Sequence, residues 1–235
     1  MCARYTLTKK EKELLKAYQV KLPKVFHPNY NLAPKQAGLV ITADEPDLAQ
    51  EMHFGLVPYW AESTKLDFST LNARSEGAAT TKTFAPLLSH HKTCLVLADG
   101  FYEWDKKSGQ PLPYRFVLKN RELFAFAGLW SQWKNQFSGE IYRSFTIMTT
   151  TANETVGKVH SSKLRMPVIL DKEEEHLWLS KDISVEELLT LCDPYPDEYM
   201  DSFRVSAAVN AAVINKTPNN KPELLLRINA DPLLF

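Results

Sequence analysis

The residues best equipped for chemistry are a cysteine at position 2, a glutamate between two aromatic residues in Tyr102-Glu103-Trp104, and His160, which precedes Arg165. A small second residue licenses removal of the initiator methionine, so the mature chain is expected to begin at Cys2 with an α-amine and a thiol on one residue. Such an aminothiol condenses with an aldehyde: the amine gives an imine, and the thiol closes a thiazolidine ring that no internal cysteine can form. Ordinary pKa values of about 8 for the amine and about 8.5 for the thiol leave reactive fractions near neutrality without a cofactor. Burial between aromatic side chains raises a carboxyl toward proton-shuttling range, and an imidazole titrates near about 6.5, so Glu103 and His160 can carry the protons this chemistry moves. Each also has a plainer reading. Cys2 can merely follow the initiator or accept a palmitoyl group, Glu103 can be a strand-end carboxylate in an ion pair, and a lone histidine usually packs or faces solvent.

The other cysteines, Cys94 and Cys192, lie in apolar runs and read as small core residues, and an odd number without a Cys-x-x-Cys pair argues against a disulfide framework or a zinc ribbon. His90 and His91 near Cys94 lack a ligand framework, so no metal is expected. Lys plus Arg and Asp plus Glu both total 28, so any attraction to nucleic acid must come from a local basic patch. The charged start MCARYTLTKKEK is unlike a secretory leader, and no apolar run is long enough to span a bilayer. The expected setting is the cytoplasm, with no membrane partner, and nothing demands more than a monomer.

Elements must hold these residues in place. Thr8 with Glu11 matches a helix capping box ahead of Leu14, Leu15 and Tyr18, which predicts a helix over 9–20. Strand-like runs stand near 38–43, 50–57, 93–99, 114–118, 123–130, 143–150 and 202–206, with helices over 84–90, 172–179 and 185–191. Mostly consecutive strands interrupted by helices predict an α+β fold: one compact domain over 2–235 with a curved, largely antiparallel, barrel-like sheet flanked by helices. The tail from about Asn215, rich in Asn and Pro, reads as a surface loop before a short terminal segment.

Ordered short segments carry more information: Cys2-Ala3-Arg4-Tyr5, Tyr30-Asn31-Leu32-Ala33-Pro34, Gly55-Leu56-Val57-Pro58-Tyr59-Trp60, Asn72-Ala73-Arg74-Ser75-Glu76, Gly100-Phe101-Tyr102-Glu103-Trp104, Ala127-Gly128-Leu129-Trp130, Thr149-Thr150-Thr151-Ala152-Asn153, and His160 with Arg165-Met166-Pro167. In this order they closely resemble the SRAP family, the SOS response-associated peptidases, also described as abasic-site DNA-protein crosslinking proteins. The resemblance runs from Cys2 to about Asn215. It implies covalent capture of abasic sites in single-stranded DNA through a Schiff base and then a thiazolidine with Cys2. It further implies proton transfer by Glu103 and His160, and Asn72 holding the N-terminal residue. Arg4, Arg74 and Arg165 would contact phosphates, Trp60 would stack beside the strand, and Pro34 and Thr149 would line the abasic pocket, with Asn31 a weaker match.

The chain departs from the family pattern in places. Ala3 replaces a frequent glycine, Ala61 stands where some members have a second tryptophan, and three extra residues separate His160 from Arg165, where Lys163 can share a phosphate contact. Two other functions fit the same residues. One is an N-terminal-nucleophile peptidase or amidohydrolase, with lyase-type or self-processing chemistry that could remove Met1; the other is a non-covalent single-strand binding module in which Cys2 is incidental.

Overall fold

The computed structural model describes residues 2–107, 109–159 and 164–228. In chain order the strands and helices are β1 (Tyr5–Leu7), α1 (Glu11–Tyr18), β2 (Asn29–Leu32), β3 (Ala37–Thr42), β4 (Glu45–Phe54), β5 (Asn72–Arg74), α2 (Ser75–Ala78) and α3 (Ala85–Ser89). There follow β6 (Thr93–Ala98), β7 (Gly100–Asp105), β8 (Leu112–Leu118), β9 (Phe124–Lys134), β10 (Ile141–Thr151), α4 (Glu154–Val159), β11 (Arg165–Pro167), β12 (Ile169–Leu170), α5 (Lys172–Leu179), α6 (Val185–Thr190) and β13 (Met200–Arg204).

Five strands close a barrel: β4, β3, β6 and β9 pair antiparallel in succession, and β10 joins β9 on one edge and β4 on the other, the latter in parallel. The expected largely antiparallel, barrel-like α+β architecture is therefore the one observed. Every residue of β6 is buried, because both faces of the strand are covered. Cys94, Val96 and Ala98 join one apolar cluster with Phe54, Phe126 and Phe145, whereas Leu95 and Leu97 join another with Trp178 of α5 and Leu188 of α6. Alternation thus becomes a continuous apolar run, as it must for a strand buried on both sides. Gly128 on β9 permits the close packing here, since a Cβ would lie 2.8 Å from Val96 Cγ2 and 2.9 Å from both Cys94 Sγ and Thr146 O.

A second sheet, ordered β13-β8-β7-β1-β2, packs on the barrel through aromatic rings. Tyr5 meets Phe54 and Phe126 edge-on at 5.8 Å, and Phe101 meets Phe126 at 6.0 Å. Edge-to-face contacts of this kind suit the ring quadrupole. Where β9 leaves β10, the short strands β11 and β12 take over: β11 pairs with the end of β10 and β12 with the start of β9. On the opposite edge of β10, β5 continues where β4 stops.

The central strands β3, β6, β9 and β10 and the helices α3, α5 and α6 lie where the sequence places them, whereas β4 spans Glu45–Phe54 and so starts and ends earlier than the expected 50–57. Others were not anticipated: β1, β2, β5, β7, β12, α2 and α4 are short and take their conformation from partners. The first helix starts later than expected. Thr8 is not its cap; the Thr8 N–H and hydroxyl both donate to Asp99 Oδ2 at 2.5 Å, and Glu13 closes the helix start by accepting from Lys10 N at 2.9 Å. A buried carboxylate wins Thr8 from the local helix signal. The tail is also tied down more than a surface loop: Leu224 is buried with Tyr102, Val205 and Val209, and Asn220 bonds Tyr30 N and Pro28 O. No helix among the described residues is long and apolar enough to cross a membrane.

Candidate active site at Cys2

Cys2 enters the fold just before β1, and its side chain is wholly buried beside Tyr5 in the barrel-side cluster. Its thiol points at Arg4 O, 3.6 Å away, and that carbonyl also accepts from Tyr102 N at 3.0 Å. From the opposite side, Asn72 Nδ2 donates to Cys2 O at 3.1 Å. Asn72 begins β5, which β10 holds in register through Ile147↔Asn72 and Thr149↔Arg74. The backbone of residue 2 is thus held between β5 and the β1–β7 pair.

Glu103 sits on β7, opposite Tyr114 of β8, and is only 2% exposed. It lies within the strand, not at its end. The Tyr5↔Phe101 register and the Tyr102 N–H bond to Arg4 O bring Glu103 alongside the segment that carries Cys2; burial pushes the Cys2 thiol pKa far up, and the Glu103 carboxylate pushes it further in the same direction. A thiol so placed stays protonated at neutral pH. His160 and Lys163 lie outside the described residues.

Beyond Asn72 opens a cavity of about 570 Å³ lined by Ser69, Asn72, Arg74, Glu76, Phe84 and Arg165, among others. Arg74 is exposed at its rim. Arg165, at the start of β11, pairs with Glu76 of α2 through both guanidinium nitrogens, Nη1–Oε1 at 2.5 Å and Nη2–Oε2 at 2.9 Å, and donates to Thr149 O at 2.6 Å. Hydrogen bonds from Arg165 hold the Glu76 carboxyl below the usual carboxylate range. Thr149 is buried, its hydroxyl donating to Ala73 O at 3.3 Å, so it braces β5 and Arg165 together.

Arg4 is arranged differently from Arg165. Its guanidinium donates to Asn31 Oδ1 at 2.7 Å, Val209 O at 2.8 Å and Asn210 O at 3.1 Å, and burial lowers its pKa. Asn31, itself buried, donates onward to Val209 O and Ala211 O. Pro34 is half-buried in the turn between β2 and β3, next to the buried Asn31–Ala33 run. Trp60 stands apart from the Asn72 cavity. It is 37% exposed, stacks on Phe68 with ring centroids 6.4 Å apart, and carries Lys82 Nζ 4.5 Å from its ring. It lines a separate cavity of about 740 Å³ with Trp133, Phe137 and Tyr142.

The structure therefore brings Asn72 onto Cys2, sets Glu103 on the strand paired beside that segment, and joins Arg74, Thr149 and Arg165 along the neighbouring β5, β10 and β11. Glu76 was not singled out from sequence, although it ends the Asn72-to-Glu76 segment; only the turn into α2 brings it back onto Arg165. Among the described residues no cluster of three or more His, Cys, Asp or Glu could hold a metal ion.

The chain is similar to proteins of known kind over nearly its whole length. It is 36% identical over 232 residues to the abasic site processing protein YoqW of Bacillus subtilis (strain 168), covering 96% of this chain and 99% of that one. It is 28% identical over 235 residues to the abasic site processing protein HMCES of Gallus gallus, covering 86% of this chain and 67% of that one. A crystal structure of a Bacteroides thetaiotaomicron protein superimposes with a TM-score of 0.88 at 26% identity, covering 97% of this chain and all of that one. A family profile described as SOS response associated peptidase matches residues 1–212, and the chain belongs to that family, SRAP.

Proposed function

We propose that this protein captures the aldehyde of abasic sites in single-stranded DNA through Cys2, once Met1 is removed. The observation that carries the reading is the placement of Cys2: Asn72 holds its carbonyl, Glu103 sits on the strand paired beside it, and Asn72 itself lines a cavity that also bears Arg74 and Arg165. The names of YoqW and HMCES, both abasic site processing proteins, point the same way.

In the processed chain the Cys2 peptide nitrogen becomes a free amine. It adds to the C1′ aldehyde carbon of the ring-opened sugar, the carbinolamine loses water, and an imine results. Sγ then adds to the imine carbon while the thiol proton ends on nitrogen, closing the thiazolidine. Because its environment keeps the thiol protonated, the amine acts first and the thiol follows. Glu103 receives and returns protons in these steps, and His160 protonates the sugar ring oxygen as the aldehyde opens. Arg74 and Arg165 hold phosphates flanking the lesion, with Arg4 bracing residue 2 and contributing from the other flank. Trp60 stacks on a base of the strand, and Pro34 and Thr149 border the abasic sugar. The protein acts as a monomer in the cytoplasm on nucleoid DNA.

A peptidase using a Cys2 thiolate fits less well, because burial and Glu103 both oppose ionisation of that thiol. The deciding experiment incubates Met1-processed protein with an oligonucleotide carrying one abasic site and resolves it on a denaturing gel without borohydride. A shifted band is expected for wild type and for neither Cys2→Ala nor Cys2→Ser. No band, with the Cys2 N-terminus verified, would refute covalent capture.

A further inference from the structure

We infer that Asp99, acting with Thr6, Thr8 and Arg115, is a positioning group for Cys2: it fixes the register of β1 against β7 and thereby the placement of the thiol relative to Glu103. The consequence for reaction rate rests on the function proposed above; the structural pin itself does not.

The strand that delivers Cys2 is only three residues long and meets β7 through Tyr5↔Phe101 and Thr6↔Gly100. So short a ladder specifies register weakly, and a slip by one residue turns every side chain to the opposite face. Side chains supply the missing specification. Asp99 is buried just before β7; its Oδ1 accepts from Thr6 Oγ1 at 2.5 Å and from Arg115 Nη2 at 3.3 Å, and its Oδ2 accepts from both N–H and hydroxyl of Thr8 at 2.5 Å. Arg115, reaching over from β8, also donates to Thr6 Oγ1 and to Asp99 O, each at 3.2 Å. One carboxylate thus grips Thr6 within β1 and Thr8 just beyond its end, while an arginine locks that carboxylate to β8.

Burying an ion pair seldom raises net stability, and its best-attested use is to fix register. Here the register matters at the next two residues up the strand. Arg4 O accepts both the Tyr102 N–H and the Cys2 thiol, and Glu103 is the residue after Tyr102. A shift of β1 along β7 breaks the first bond and carries Cys2 away from Glu103. Gly100 completes the device: a Cβ there would lie 2.8 Å from Arg115 Nη2 and 3.0 Å from its Cζ and Nε, so any side chain would displace the guanidinium.

The test compares Met1-processed wild type with Asp99→Asn, Gly100→Ala, Thr8→Val and Thr8→Ser. Three quantities are measured: Cys2 alkylation by iodoacetamide, read by mass spectrometry; the rate of capture of a single-stranded abasic oligonucleotide; and affinity for the same oligonucleotide with an unreactive tetrahydrofuran site. Asp99→Asn and Gly100→Ala are expected to raise Cys2 alkylation and to slow capture, each by roughly 10-fold or more, with affinity changed by less than about 2-fold. Thr8→Ser keeps the hydroxyl and should behave as wild type, whereas Thr8→Val should follow Asp99→Asn. The buried Cys94 and Cys192 report the fold: their alkylation should stay flat. Unchanged Cys2 alkylation in the variants, or Cys94 and Cys192 rising in parallel, would overturn the pin. If Asp99→Asn does not fold, Gly100→Ala and Thr8→Val decide the matter. A wild type that captures nothing would sink the proposed function alone, because the alkylation comparison needs no DNA.

Discussion

On one flank of Cys2 the Arg4 guanidinium is engaged by neutral acceptors, Asn31 Oδ1 and the carbonyls of Val209 and Asn210; on the other, the Arg165 guanidinium meets a carboxylate, Glu76, at the wall of an open cavity. The first arrangement ties the segment bearing Cys2 to the C-terminal segment and leaves the guanidinium only partly open to solvent. The second keeps a charged pair where an incoming anion can compete for the cation. Two arginines that look equivalent in sequence therefore differ in kind: the Arg4 flank should govern how the reacting groups are placed, and the Arg165 flank how tightly a phosphate backbone is held.

The sharpest way to break this division is Glu103→Gln on the first flank. Loss of a general acid-base group is expected to slow capture by roughly 100-fold or more, with affinity for unreactive abasic-analogue DNA almost unchanged. A second readout has a definite sign. The Glu103 carboxylate disfavours the Cys2 thiolate, so the amide should lower the thiol pKa, and the pH profile of Cys2 alkylation should move toward lower pH. A profile that stays put or moves upward would separate Glu103 from Cys2.

Asn72→Ala follows in size. It removes the side-chain donor to Cys2 O, and misplacement of residue 2 should cost roughly 10- to 100-fold in capture rate. Asn72→Asp would present a carboxylate to that carbonyl and should not rescue it. Comparable losses of rate and of affinity would place Asn72 with the binding wall instead.

How much of this arrangement can be read from the sequence differs between elements for physical reasons. β3, β6, β9 and β10 announce themselves as apolar runs because burial on one or both faces demands them, whereas β4 begins with the exposed Glu45, Pro46 and Asp47 and carries such a signal only toward its end. β1, β5 and β11, which deliver Cys2, Asn72 and Arg165, are three residues each and owe their conformation to longer partners. Their site residues are recognisable only from ordered motifs. Asp99 is invisible for another reason: its partner Thr8 carries a genuine helix-capping signal with Glu11, which loses to a carboxylate distant in sequence. Arg4 and Arg165 share a residue type and a motif-level role, and nothing local to either tells that one is bonded to carbonyls of the C-terminal segment and the other to Glu76.

Arg74→Ala tests the second flank more gently. Arg74 is exposed at the cavity rim, so its loss should weaken binding to unreactive single-stranded DNA by roughly 5- to 10-fold and reduce the salt slope by about 0.7, the value for one phosphate contact on a single strand. Capture at saturating DNA should hardly change. A rate effect larger than the affinity effect would move Arg74 to the positioning flank.

The smallest expected effect is the most telling, because it has the opposite sign. Glu76 holds Arg165 through two hydrogen bonds, and a phosphate that engages the same guanidinium must displace or share it. Glu76→Gln removes the negative charge while retaining one acceptor oxygen, so Arg165 is still oriented but less tightly held. Affinity for single-stranded DNA should then rise by roughly 2- to 3-fold at low salt, a gain that fades as ionic strength screens the charges. The gain should also vanish as pH falls into the range where Glu76 is protonated, which lies below the usual carboxylate range because the Arg165 bonds stabilise its charged form. If Glu76→Gln weakens binding instead, the carboxylate orients Arg165 for its ligand more than it competes with it, and the two flanks are more alike than their hydrogen bonds suggest.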